Sequence, residues 1–178
     1  MTQESFDAIR VLDLAAEIER RGHTFYAEWS ERITSAQGKA IFGRLAREEL
    51  WHLEWVTAQR RSLEKEGRWL TEEQVPEVAQ IKSLAATVFP RVDSPRAGVS
   101  FEATERNALT RGVQAEKDSV AFYSDAFRRA GDPSAKAMFA HLVEFEQGHQ
   151  RLLEAELDHL TKSGFYFGEA EFIVEGPD

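Results

Sequence analysis

The chain contains no cysteine. Disulfides, thiolate zinc sites, iron–sulfur clusters and cysteine nucleophiles are therefore excluded, and a reducing compartment fits. No signal peptide is expected, because Met1 to Arg10 carries acids and no apolar run. We accordingly expect a cytoplasmic protein. No run of about 18 apolar residues is present, so no membrane span is expected. Positive charge is also scarce. Lys and Arg number 22 against 31 Asp and Glu, and the net charge of −9 argues against nucleic acid or anionic lipid as a partner. Acidity by itself says little about metals, since most surface carboxylates are simply solvated.

What is present is globular. Apolar residues make up 42% and charged residues 30% of 178 positions, enough for one domain (1–178) with a real core. Apolar residues recur every three or four positions in four stretches, the helical period. The spacing predicts helices at about 5–33, 36–66, 101–130 and 133–162. Gly67, Gly131 and Gly164 are C-terminal stops, and Asp132-Pro133 caps and opens the fourth helix. The short turns near 34–37 and 131–133 imply two antiparallel hairpins. A crossover, 67–100, joins them. Within it Val78, Ile81, Leu84, Ala85 and Val88 have helical spacing, and Thr71 with Gln74 has the pattern of a capping box. Residues 163–178 form an aromatic and acidic tail.

The two halves match at an offset of 97 residues without a gap. Leu12 corresponds to Leu109, Phe25 to Phe122, Tyr26 to Tyr123, Phe42 to Phe139 and Leu45 to Leu142. A repeated helical hairpin, paired with its copy about a pseudo-twofold axis, is the simplest reading.

Polar residues break into the apolar stripes at matched positions. Glu19 corresponds to Glu116, Glu49 to Glu146 and His52 to His149, and each single glutamate precedes its Glu-x-x-His by 30 residues. Four buried carboxylates need compensation. Two divalent cations would cancel their charge with the histidines neutral. Glu and His at i and i+3 share a helix face, and two such pairs plus two single glutamates are the donor set of di-iron and di-manganese carboxylate bundles. Carboxylate and imidazole donors suit iron or manganese better than softer-ligand metals, with zinc as an alternative. Glu156 and His159 make a third Glu-x-x-His. We reject it because Gln59 and Ser62 stand at the equivalent positions and His159 falls in a last helical turn.

Tyr26 and Tyr123 follow the single glutamates by seven residues on the same face, which makes them candidate hydrogen-bond donors to the carboxylates and candidate catalytic groups. His23 lies one turn beyond Glu19 but is matched by Val120, so it is read as structural. His141, matched by Arg44, is read as surface. The tryptophans at 29, 51, 55 and 69 are read as packing, with Trp55 walling the site from water.

Glu19 with Tyr26, Glu49-Leu50-Trp51-His52, Glu116 with Tyr123, and Glu146-Gln147-Gly148-His149 resemble the ferritin-like superfamily, nearest the rubrerythrin diiron domain, over about residues 5–162. The resemblance implies an all-α ferritin-like four-helix bundle, a non-haem centre of two Fe ions, peroxide or dioxygen chemistry and a homodimer. Two departures stand out. Without cysteine there is no rubredoxin module, which leaves the electron donor external. Val113 and Ser119 also flank Glu116 where rubrerythrins carry an additional carboxylate. The expected function is a diiron oxidoreductase, peroxidase- or ferroxidase-like. The alternatives are an iron-binding or storage protein without turnover, and a helical scaffold with a structural metal.

Overall fold

A computed structural model describes residues 6–71, 74, 102–161, 165–166 and 169–170. Four long helices dominate: α1 (Ala8–Arg32), α2 (Ala36–Glu66), α3 (Glu102–Arg129) and α4 (Pro133–Thr161). Four of the helix ends have a visible chemical cause. The Asp7 carboxylate accepts the Arg10 N–H at 3.0 Å, which starts α1 later than periodicity alone predicts. The Ser35 hydroxyl accepts the Gly38 N–H at 2.9 Å and starts α2. Gly67, at φ 66°, closes α2 in the left-handed region that glycine enters without strain, and its N–H returns to the Leu63 carbonyl. The Asp132 carboxylate takes the N–H groups of Ser134 and Ala135 at the head of α4, where Pro133 has no N–H to satisfy.

Helix α1 packs along α2, and α3 along α4. The two pairs meet through side chains in three layers. One apolar layer gathers Leu12, Ala15, Trp55, Val56, Tyr123, Met138, Phe139 and Leu142. The other gathers Tyr26, Ile33, Phe42, Leu45, Ala108, Leu109, Val113 and Leu153. Along the four helices Glu19, Glu49, His52, Glu116, Glu146 and His149, all buried, fall between these two sets. Residues matched at the 97-residue offset lie in opposite layers, as a twofold axis across the bundle requires: Leu12 opposes Leu109, and Phe42 opposes Phe139. Local geometry repeats as well. Phe25 meets Tyr26 edge-on at 5.2 Å and 72°, and Phe122 meets Tyr123 at 5.2 Å and 73°.

Some expectations need adjustment. Phe127, whose helical spacing puts it in line with the apolar residues Val113, Val120 and Tyr123 of α3, is 39% exposed, and Lys136 lies over its ring. His141 is not simply surface: its ring packs beside buried Trp55. Of the crossover, Gln74 accepts the Thr71 N–H at 3.0 Å, one half of a capping box, and Gln59 clamps both backbone groups of Leu70. The expected crossover helix around Val78 to Val88 and the Gly164 stop lie outside the described residues. In the tail, Phe165–Tyr166 and Glu169–Ala170 pair as a short antiparallel ladder that periodicity does not signal.

Candidate metal centre

The layer between the apolar sets is built by one face of each helix. Glu19 comes from α1, Glu49 and His52 from α2, Glu116 from α3, and Glu146 and His149 from α4. All six are at most 4% exposed. The i, i+3 spacing sets each His beside its own Glu, and the pseudo-twofold brings the two pairs face to face, with the imidazole rings stacked at 5.4 Å.

The donor atoms divide into two sets, each with its atoms within 4.8 Å of one another: Glu19, Glu49, His52 and Glu146, and Glu49, Glu116, Glu146 and His149. Glu49 and Glu146 belong to both. The Nδ1 of His52 lies 3.3 Å from Glu19 Oε2, 3.4 Å from Glu146 Oε1 and 3.9 Å from Glu49 Oε2. The Nδ1 of His149 lies 3.1 Å from Glu49 Oε1, 3.3 Å from Glu146 Oε2 and 3.8 Å from Glu116 Oε1. Each shared carboxylate therefore turns one oxygen to each set, the arrangement of a bridge between two ions.

Further groups support this layer. The Tyr26 hydroxyl donates to Glu116 and the Tyr123 hydroxyl to Glu19, so each tyrosine serves the glutamate of the opposite hairpin. His149 turns its Nε2 outward to Glu48 at 3.0 Å, and Glu48 is itself held by Arg44 at 2.7 Å. Glu48 was missed in the sequence, where only its place before Glu49 could have marked it. His23 lies outside both sets and bonds the Ala46 carbonyl at 2.7 Å, tying α1 to α2. Glu156 is buried too, but it accepts from Gln37 away from these sets, while His159 is exposed.

A family model described as rubrerythrin matches residues 10–157. The chain belongs to the rubrerythrin family. No curated protein and no solved structure matches it. Rubrerythrin domains hold a diiron site, and this member has the buried carboxylate and histidine cluster that could hold metal. Among the described residues no helix is long and apolar enough to cross a membrane.

Electrostatics test whether cations fit this rubrerythrin fold. Burial, then Glu146 and Glu19, push the Glu49 carboxyl well above its ordinary range; burial, then Glu146, does the same to Glu116. Burial opposes charge on His52, yet the Glu146 and Glu19 carboxylates outweigh it and push it up to about 10. His149 is raised likewise by Glu146, Glu48 and Glu49 against burial, while Glu146, despite burial, is held low by the two imidazoles. Protons thus carry the positive charge this layer demands. They do so with poor geometry. Glu19 Oε2, both Glu146 oxygens, His52 Nδ1 and His149 Nδ1 are buried without a hydrogen-bond partner. Such atoms are costly to bury unless they share something else. Hard oxygen and imidazole donors converging on two points fit two divalent ions.

Proposed function

We propose that this rubrerythrin-family chain is a non-haem diiron oxidoreductase that reduces peroxide or dioxygen. In this reading Glu19 and His52 would hold one iron and Glu116 and His149 the other, with Glu49 and Glu146 contributing to both. The observation that carries it is the convergence of partnerless buried donor atoms on two adjoining sets that share two glutamates. A bound Fe(II) pair would supply Lewis acidity and two electrons per peroxide, with an external donor restoring them.

The residues around the pair have separate tasks. Tyr26 and Tyr123 fix the outer carboxylates in place through their hydroxyls. Their own ionisation is suppressed by burial and then by the nearest carboxylates, Glu116 and Glu19 respectively, so both stay protonated donors. The apolar layers above and below, with Trp55 among them, exclude bulk water along the bundle.

The test is anaerobic loading with Fe(II), followed by hydrogen peroxide. Iron should saturate at about two ions per chain. One peroxide should then oxidise two Fe(II), taking up two protons and releasing two waters, and an added reductant should permit repeated turnover. Saturation at a single ion would overturn the dinuclear reading. Retention of many irons per chain would replace it with storage.

A further inference from the structure

The pseudo-twofold that relates the two halves fails behind the two histidines of the donor layer. Behind His149, on the side away from the metal-facing Nδ1, Glu48 stands 3.0 Å from Nε2. The residue equivalent to Glu48 at the 97-residue offset is Phe145. Its ring lies against the imidazole of His52, centroids 5.2 Å apart and planes inclined at 39°. A phenyl ring has neither the charge nor the lone pairs with which a carboxylate accepts an N–H. The equivalent of Arg44, which holds Glu48 at 2.7 Å, is His141, so the support behind the carboxylate is not repeated either.

We propose that Glu48 and Phe145 make the two metal positions unequal, so that the ion bound by Glu49, Glu116, Glu146 and His149 enters first and is held more tightly than the ion bound by Glu19, Glu49, His52 and Glu146. This rests on the metal-centre reading above. A carboxylate that accepts the outer N–H of a ligating histidine fixes its tautomer and ring orientation and strengthens its donor nitrogen, and loss of such a partner typically costs roughly 10- to 100-fold in affinity. His149 has that partner. Among the described residues no carboxylate stands behind His52; the neighbour seen there is the apolar ring of Phe145, which does nothing to strengthen its Nδ1. The inner donors are otherwise matched: each set has one outer glutamate bonded by a tyrosine, the same two bridges, and one imidazole. The difference in affinity therefore falls on the outer nitrogens. Glu48 is a positioning residue, acting on metal through His149.

The experiment uses the full chain and Zn(II), a redox-silent probe of the donor set. Calorimetric titration of the wild type should resolve two steps separated by about 10-fold or more. In a parallel titration of 15N-histidine-labelled protein, the first equivalent should shift the His149 imidazole signals and the second those of His52. Glu48→Gln keeps the size of a side chain that is 20% exposed, so the fold is retained, and it should weaken the first step by about 10-fold with little change in the second. Phe145→Glu supplies the missing acceptor and should tighten the second step; if that variant does not fold, Glu48→Gln and the order of histidine shifts carry the test. Simultaneous shifts of both histidines, or His52 shifting first, would overturn the proposal. Equal weakening of both steps by Glu48→Gln would also overturn it, because a merely structural loss affects both positions. Failure of Zn(II) to bind at all would remove the metal-centre reading itself, a result distinct from two equal steps.

Discussion

Tyr26 on α1 donates its hydroxyl proton to Glu116 on α3, and the bond crosses from one hairpin to the other. Its counterpart runs the opposite way, from Tyr123 to Glu19. Each carboxylate is thus steadied by the hairpin to which it does not belong.

Removal of either hydroxyl should have a similar cost. A buried hydrogen bond to a charged group contributes about 1.5–3 kcal/mol. Tyr26→Phe and Tyr123→Phe should each lower the stability of the metal-loaded protein by about that amount, with helix content unchanged. Chemical denaturation followed by circular dichroism checks it. A loss confined to one of the two would show that the crossed bonds are not equivalent.

Metal affinity should rise with pH. In the metal-free protein Glu49 and Glu116 hold protons above the ordinary carboxylate range, for the burial and like-charge reasons given above, and His52 holds one up to about 10. A cation must displace these protons, so higher pH favours binding throughout the range from about 5 to 8. Wild-type melting temperature should gain several degrees on addition of anaerobic Fe(II) at neutral pH, and less at acid pH. Replacing Glu19 and Glu116 together by Gln should shrink that gain sharply. Equal gains in both proteins would mean that these glutamates do not bind metal.

A second pH effect is independent of metal. Burial raises the Glu156 carboxyl above its ordinary value, and its bond from Gln37 only partly offsets this. A carboxyl raised in the folded state stabilises the fold below its unfolded pKa, and that stabilisation is lost as pH rises through the folded value. Glu156→Gln, which keeps an acceptor for Gln37, should therefore raise the melting temperature near pH 7 and leave it nearly unchanged near pH 4. Melts at the two pH values decide the matter; a variant less stable at both would show that the charged form is needed.

Much of this arrangement was legible in sequence because a helix turns its period directly into a face. Glu19, Glu49, His52, Glu116, Glu146 and His149 stood out as polar residues on apolar stripes, and the exact repetition of their spacing told that the stripes face one another. Partnership across the interface was not legible. Tyr26 shares a helix face with Glu19, yet it reaches Glu116, because the choice depends on how the hairpins dock. Glu48 carried no periodic signal, since its role depends on a histidine 101 positions away. The true start of α1 turned on one capping carboxylate, Asp7, outside any periodic signal.

The sandwiching of the charged layer between two apolar ones also acts as an alignment key. If one hairpin slid along the other by a single helical turn, about 5.4 Å, its glutamates and histidine would face Leu, Phe and Val, while apolar side chains would cover the other hairpin's carboxylates. A wholly apolar interface of the same shape would tolerate such a shift at modest cost, since one leucine replaces another. Here every slipped alignment strands charge in a dry environment. The same residues proposed to grip metal thus also set where the two halves of the chain stop sliding.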